Sequence, residues 1–594
     1  MHQPPTPTQL RHEKEIQTAE ELLFSGPQQL GVGKGLFLGR FFAEWVMPYP
    51  RINEVQERAL DLMMAELRPF LDEHLDPAAI DRAADIPREI IDGLARIGVL
   101  GMSAPFEFGG RALPQVACCR VMEEIGSRCA ATSVFVNAHH SIGIRALLLF
   151  GTPEQKQRWL PPLVSGEDLA AFALTEREAG SDAANVQTRA EPGTVGYVLN
   201  GTKRYITNGG IAQVLTVMAR TPNPDDGGTA VTAFLVTPDM PGFTVTEPRM
   251  EKLGIRGTAT ATLEFKDMPV PAANILGEAG KGLKVALTVL DFGRTTFGAC
   301  CTGAAKTCLR LAVTHANTRR QFDRTLGEFE LVKAKIARMA ANTYAMEAMT
   351  IVTASLIDRG LREYMIETAM LKVFTTEALW EIVNDAFQIH GGSAYFTALP
   401  LERMLRDARI NQIGEGANEV LTAFIALVGM RWPGTQLKEI WEAIHHPWEH
   451  LRTAWQGGMD RAGSVLFAPD VPVRSPLLQP HAVRLGRTIW RFNLAVDRAL
   501  IQYREDILDR QYVQERLART AMELYASACV LSRWDAELLS ATDAPSPIPD
   551  PTPEMFLKSS FRRIRRALAE LRDNDDAATS AAAEWSLRQS EAAP

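Results

Sequence analysis

Three stretches of this 594-residue chain carry polar residues in patterns that could do chemistry. LTEREAGSD (Leu174–Asp182) and YITNGG (Tyr205–Gly210) follow one another closely, and IGEGANE (Ile413–Glu419) comes much later. In the last, Glu415 stands between Gly414 and Gly416. A carboxylate on such a turn has little neighbouring bulk, so a ligand can approach the backbone closely. Read alone, it is more often a loop carboxylate in water.

Other chemistries are excluded by pattern. There is no Gly-x-Ser-x-Gly nucleophile elbow. GEAGKGL (Gly277–Leu283) is too short for a phosphate loop and has Gly282 where Ser or Thr must follow the lysine. GVGKGLFLG (Gly31–Gly39) has Leu36 where a dinucleotide fingerprint needs its third glycine, and no strand pattern precedes it. It reads instead as a flexible arm before an aromatic anchor, Phe41, Phe42 and Trp45. His139 and His140 fall in an apolar helical run and read as core or helix-end residues, with substrate contact as the alternative.

Composition narrows the class. The net charge is 63 − 71 = −8, and no long basic block exists, which argues against a general nucleic-acid binder. At 46% hydrophobic and 23% charged residues the chain is an ordinary globular one. Seven cysteines without a C-x-x-C spacing fit buried thiols in a reducing compartment better than disulfides or zinc, so no metal is expected. The N-terminus shows no apolar leader segment and no stretch approaches about 18 uninterrupted apolar residues, so a cytoplasmic protein without a membrane span is expected.

The elements that must position these residues fall into blocks. Residues 1–50 read as an irregular arm. Residues 51–168 are helical, with Leu60, Met63, Met64, Leu67 and Leu71 on one face. Residues 169–272 read as a β-domain, with Asn200-Gly201 as a hairpin signal. Residues 273–432 hold runs long enough for antiparallel bundle helices. Pro433-Gly434 opens a further helical segment, 433–594. It contains a spacer with Pro545, Pro547, Pro549, Pro551 and Pro553 at alternate positions. After the spacer, Leu557, Phe561, Ile564, Leu568 and Leu571 share one helical face, with Lys558, Arg562, Arg563, Arg565 and Arg566 around the rest. The residues after 573 read as disordered.

From about residue 36 to about 430 the chain resembles the acyl-CoA dehydrogenase family, in the very-long-chain branch that carries an extra C-terminal helical domain. The resemblance rests on ordered motifs: LLLFGTPEQKQRWLPPLVSGE, LTEREAGSD, NGTKRYITNGG, KLGIRGT, NILGEAGKG, RRQFD, QIHGG, MLRDARI and GEGANE. It implies a mostly α fold: a helical N-domain, a central β-barrel-like domain, a four-helix bundle and the additional C-terminal helices. It also implies FAD bound between the β-domain and the bundle, completed by a partner subunit in a homodimer or larger homo-oligomer.

Carried over residue by residue, the resemblance implies that Phe172, Leu174 and Thr175 line the flavin, that Tyr205 and Thr207 flank its ring, and that Ser181 lies near the CoA pantetheine or the flavin phosphate. Arg319, Gln321 and Phe322 would reach the neighbouring subunit's FAD, as would Gln388, Gly391 and Gly392. Ala417 and Glu419 join the cofactor set; Asp291, Arg294, Gly414 and Gly416 join the substrate set. For Arg294 and Arg319 a helix salt bridge is the competing reading.

Glu415 would be the base. The α-proton of an acyl thioester is weakly acidic, and a base must take it while the β-hydride leaves for flavin N5. A carboxylate suits this if desolvation raises its pKa, and general-base catalysis contributes roughly 10²–10⁴-fold. The resemblance assigns carbonyl polarisation to the Glu415 N–H and a flavin ribityl hydroxyl. Some members carry the base at the position that is Gly293 here, which leaves Glu415 alone. Departures from the family pattern are Arg177 for Pro, Tyr205 for Trp, Asp323 and Ala394 for Gly, Gly414 for a bulky aromatic and Ala417 for Thr. The last two enlarge or loosen the site.

The resemblance further implies an acyl-CoA substrate, an electron-transfer flavoprotein as acceptor, and peripheral membrane contact through the Arg-rich helix, for which a solvated or intersubunit helix is the alternative. Two other functions compete: an acyl-CoA oxidase that uses oxygen, and a weakly active member with an assembly role.

Overall fold

The computed structural model describes residues 29–223, 228–445, 466–540 and 550–591. The readings of residues 1–28 as an arm and of Pro545, Pro547 and Pro549 as a spacer lie outside them. The described residues form two compact units, one of Gln29 and Pro50–Val420, the other of Leu30–Tyr49 and Leu421 onward.

The first unit opens with helices. A capping box between Asn53 and Gln56 starts one at Glu54–His74, whose inward stripe is Met63, Met64, Leu67 and Leu71. Further on, an unbroken helical run from Ala130 to Phe150 contains a π-helical stretch, Asn137–Ile144. This run is long and apolar enough to cross a membrane by composition, yet two thirds of its apolar window is buried in protein, and it serves as a core helix. Its π-helical stretch packs against two other segments. A Cβ on Gly143 would meet Ala170, and one on Gly293 would meet Ile142.

The β-domain is one mixed sheet. Its strands are β1 (Ala170–Ala173), β2 (Arg189–Pro192), β3 (Gly196–Ile206), β4 (Val214–Pro222), β5 (Thr229–Val236), β6 (Phe243–Glu247), β7 (Ala261–Pro271) and β8 (Ile275–Leu276). Their order is β6-β7-β3-β2-β4-β5-β8, with β1 parallel to β4. Asn200-Gly201 is not a hairpin. β3 runs straight through it with a bulge, because Asn200 accepts a bond from the Asp267 N–H on the neighbouring strand. A second bulge, between Lys203 and Ile206, contains Tyr205 and re-aims its side chain.

Long helices follow: αA (Gly282–Thr318), αB (Glu330–Asp358), αC (Met365–His390) and αD (Asn418–His445). The two-stranded hairpin Arg320–Thr325 joins αA to αB. Pro433 lies inside αD and opens no new segment, and the division between the compact units falls at Val420/Leu421.

In the second unit, Val32–Phe37 forms a buried helix where a flexible arm was expected. The Phe37 ring meets Phe492 edge-on at 4.9 Å, and Gly429 leaves the room that ring needs. Pro553 sits in the first turn of helix Thr552–Glu570, where a missing N–H costs nothing, so the spacer pattern ends before it. That helix buries Phe556, Leu557, Phe561 and Ile564. Residues after 573 are not disordered: Asp576–Glu591 is helical, and Arg516 grips Asp576 at 2.5 and 2.8 Å.

Candidate active site

Glu415 sits on the turn before αD. Its φ is +58°, a conformation that disfavours a side chain, and Gly416 follows at +94°. A non-glycine residue held there costs of order 1–3 kcal/mol and persists only where its surroundings enforce it. Two groups of bonds do so. Upstream, the Ile413 and Gly414 N–H groups both donate to the Ile410 carbonyl, at 2.9 Å. Downstream, the fully buried Lys372 of αC donates to the Gly416 carbonyl at 2.6 Å and to Asn418 Oδ1 at 2.9 Å. Thr376 also bonds Asn418.

The carboxylate is placed for proton abstraction. Its Oε2 is buried with no hydrogen-bond partner among the described residues. Burial raises the Glu415 pKa, opposed by the charges of Arg294 and Lys372. Burial likewise pushes Lys372 down to about 8, with the Glu415 charge opposing it. A Cβ at Gly414 would touch only the Ile410 carbonyl, at 3.7 Å, so the flank of the acid is open.

Asp291 and Arg294 are brought here, but at depth. They are 2% and 7% exposed and joined to each other at 2.9 Å, and Thr368 donates to the same Asp291 oxygen. Burial pushes Asp291 up to about 6 against the pull of Arg294. They form an internal ion pair, the competing reading for Arg294, and its guanidinium acts on Glu415. Arg294 Nε remains buried without a partner among the described residues.

The second cluster lies on the β-domain. Leu174 and Thr175 follow β1, and Tyr205 and Thr207 sit at and beyond the end of β3. A buried ion pair locks the two segments together. Lys203 bonds Glu176 at 2.6 Å and the Leu174 carbonyl at 2.9 Å, while Glu176 accepts from the Gln187 and Thr188 N–H groups. Although burial opposes it, this set holds Glu176 below the usual carboxylate range, and burial pushes Lys203 down to about 8. The Arg204 N–H donates to the Thr175 carbonyl. Tyr205 is 57% exposed in a left-handed conformation, with Arg204 over one face. Asn208, fully buried, clips the Phe135 carbonyl and keeps an unpartnered Oδ1 among the described residues. Phe172 is half-buried and Ser181 exposed; a Cβ at the preceding Gly180 would meet nothing within 4 Å.

A third group is exposed. His315 and His390 stack at 4.3 Å and draw together the C-terminal ends of αA and αC. At and beyond those ends lie Arg319, which caps αA, Gln321 and Phe322 on the hairpin, Gln388 in the last turn of αC, and Gly391 and Gly392 just after it. Phe322 is 88% exposed. None of these six is brought to Glu415's turn by any bond among the described residues, and Ala417 and Glu419 flank that turn instead.

The two adjacent histidines are structural. His139 bridges the Leu163 carbonyl and the Ala170 N–H, and His140 bonds Ser103. Sequence reasoning missed Lys372, Lys203 and Glu176. Lys203 could have been found: it shares strand phase with Leu199, so alternation points it inward, where a cation requires a carboxylate. Lys372, alone in the apolar AMLKVF, gave a weaker signal of the same kind.

These features fit FAD. An exposed ring on a bulge, neighbouring Thr175 and Thr207 hydroxyls, open space at Gly180 and a buried unpartnered amide oxygen suit a planar ligand with polar edges. A β-domain between helical blocks with a buried lone carboxylate defines a flavin-dependent dehydrogenase class, and comparisons with known proteins agree. Family models match as acyl-CoA dehydrogenase N-terminal domain (58–167), middle domain (171–268) and C-terminal domain (280–429), and as ACAD9/ACADV C-terminal domain (476–586). The very long-chain specific acyl-CoA dehydrogenase, mitochondrial, of Homo sapiens is 36% identical over 519 residues, covering 85% of this chain and 78% of that one. An acyl-CoA dehydrogenase complexed with FAD from Bacillus anthracis aligns with a TM-score of 0.75 at 29% identity, covering 90% of this chain and 91% of that one. Butyryl-CoA dehydrogenase from Megasphaera elsdenii gives 0.61 at 33% identity over 64% of this chain and all of that one. The chain belongs to the acyl-CoA dehydrogenase family and is an FAD-dependent oxidoreductase of fatty acid oxidation.

Proposed function

We propose that Glu415 is the base of this dehydrogenase and that its substrates are long-chain or branched acyl-CoA thioesters. The observation that carries this is the buried, unpartnered Oε2 of Glu415 on a strained turn. Likeness to the human very long-chain enzyme and the small residues Gly293, Gly414, Gly416 and Ala417 around the acid support the substrate class.

FAD, when bound, supplies the hydride acceptor. Phe172, Leu174, Thr175, Tyr205 and Thr207 would hold its ring side, with Ser181 on the solvent side. Glu415 must be ionised to act. Arg294 and Lys372 favour the ionised form, while burial keeps it basic enough to take the α-proton at Oε2. The Glu415 N–H is available to the thioester carbonyl on the same turn. The exposed group Arg319, Gln321, Phe322, Gln388, Gly391 and Gly392 would serve a second copy's FAD, which makes a homodimer or larger homo-oligomer the working form.

An electron-transfer flavoprotein is the proposed acceptor; reduction of an artificial acceptor with little hydrogen peroxide formed in air is the outcome expected if it, and not oxygen, takes the electrons. The seven free, buried cysteines support a reducing compartment such as the cytoplasm. For membrane contact, helix Thr552–Glu570 has already committed its apolar face to the protein, and Lys558, Arg563 and Arg566 are paired with Glu554, Glu523 and Glu570. Only a partly neutralised basic face is left for an anionic surface.

The test is anaerobic flavin bleaching by a ladder of acyl-CoAs. Wild type should bleach with long chains, and Glu415→Gln should bind but not bleach. Wild-type bleaching by the variant would remove Glu415 from the role.

A further inference from the structure

Lys372 is an expensive residue where it stands. A lysine with no exposure loses the hydration of its ammonium, and a core position on αC between Leu371 and Val373 would be filled by methionine at less cost. Both of its described bonds go to the residues that follow Glu415: the Gly416 carbonyl and the Asn418 side chain. Thr376, one turn on along αC, bonds the same Asn418. One helix face therefore holds the foot of αD, and with it the exit of the strained turn.

We propose that Lys372 is a positioning residue for Glu415, fixing the left-handed turn through the Gly416 carbonyl and Asn418 while placing a positive charge beside the carboxylate. This rests on the reading of Glu415 as the base. The charged groups that act on the acid come from two elements. Arg294, on αA, is already paired with Asp291. Lys372, on αC, feels Glu415, Arg294, Cys301 and Glu419. The π-helical stretch brings the apolar Ile142 against Gly293 beside the acid. With Arg294 partly neutralised by its own partner, Lys372 is the cation of the two that has no carboxylate bonded to it among the described residues, so Glu415 is the charge it balances.

Two variants separate tether from charge. Lys372→Met removes both; Asn418→Ala removes part of the tether and keeps the charge. In flavin-bound, full-length enzyme the acid limb of kcat/KM and the infrared band of the protonated Glu415 carboxyl, assigned by its absence in Glu415→Gln, are titrated in parallel. The band needs no turnover. Lys372→Met should move both upward by about one pH unit and lower kcat at neutral pH by roughly tenfold or more. Asn418→Ala should lower kcat several-fold with the limb unmoved. An unmoved limb and band in folded Lys372→Met protein overturns the proposal. Should that variant not fold, wild-type kcat in Asn418→Ala overturns it, and a lowered kcat at the wild-type limb supports it. Failure here leaves the base assignment intact as long as Glu415→Gln abolishes bleaching.

Discussion

A Cβ built on Gly293 would stand 3.8 Å from Oε2 of Glu415 and 3.0 Å from Cγ1 of Ile142. Two segments far apart in sequence thus meet at the acid, and the absence of a side chain at 293 keeps the space beside it. Gly293→Ala would press on Ile142 by a few tenths of an ångström and narrow the approach to the α-carbon. One methyl group in an apolar site is worth about 10–200-fold in discrimination. Gly293→Ala should therefore lower kcat/KM for α-branched acyl-CoAs at least about tenfold more than for straight chains. Equal losses on both would show that position 293 does not shape the substrate.

Glu415 also weighs on stability. Its folded pKa is raised by burial, so the native state binds a proton more readily than the unfolded chain does. Stability from this group is then greatest below the unfolded carboxylate value and falls as pH rises toward the folded one. Glu415→Gln keeps the shape and removes the charge. It should unfold at a higher temperature than wild type at neutral pH, and the gain should shrink as the pH falls to about 4. A variant less stable than wild type at pH 7 would contradict a desolvated carboxylate.

The helical blocks were legible because their apolar periodicity survives in any long packed helix, and αA, αB and αC show it. The proposed base was legible through its glycine neighbours, once the ordered motifs around it were recognised. What stayed hidden depends on contacts across the chain. Nothing local announces that Asn200 accepts from Asp267, so an Asn-Gly pair read as a turn where β3 continues. Val32–Phe37 is rich in glycine and read as an arm, yet Gly35 and the rest of that segment are buried. The Ala- and Ser-rich tail looked unstructured because the Arg516–Asp576 pair that pins its helix spans 60 residues. Asp291 and Arg294, three residues apart on αA, form the local helix salt bridge that the sequence offers as the competing reading for Arg294.

The Lys203–Glu176 pair makes a separate prediction. Replacing Lys203 by Met leaves Glu176 buried without its cation and frees the Leu174 carbonyl, and breaking such a pair from one side costs about 3–5 kcal/mol. The loss falls on the segment that carries Leu174 and Thr175 and on the strand that carries Tyr205. Lys203→Met should lower the unfolding temperature and also the flavin-to-protein absorbance ratio after purification. A variant that melts lower but keeps full flavin would show that the pair holds the sheet without shaping the flavin edge.

His139 predicts an acid limit. Burial pushes its pKa down to about 4 from 6.5, and His140 is lowered too, by burial and then by the Arg145 charge. The unfolded chain takes up a proton on each ring below about pH 6.5, while the folded protein resists. Stability is therefore complete above that value and is lost as pH falls toward 4, by about 3 kcal/mol for His139 alone. His139 bonds the Leu163 carbonyl and the Ala170 N–H, so its protonation removes the acceptor that holds the start of β1. Glutamine offers a donor and an acceptor without titrating. Urea unfolding between pH 7 and 4.5 should show a steep decline for wild type and a shallower one for His139→Gln. Parallel declines would place the acid sensitivity elsewhere.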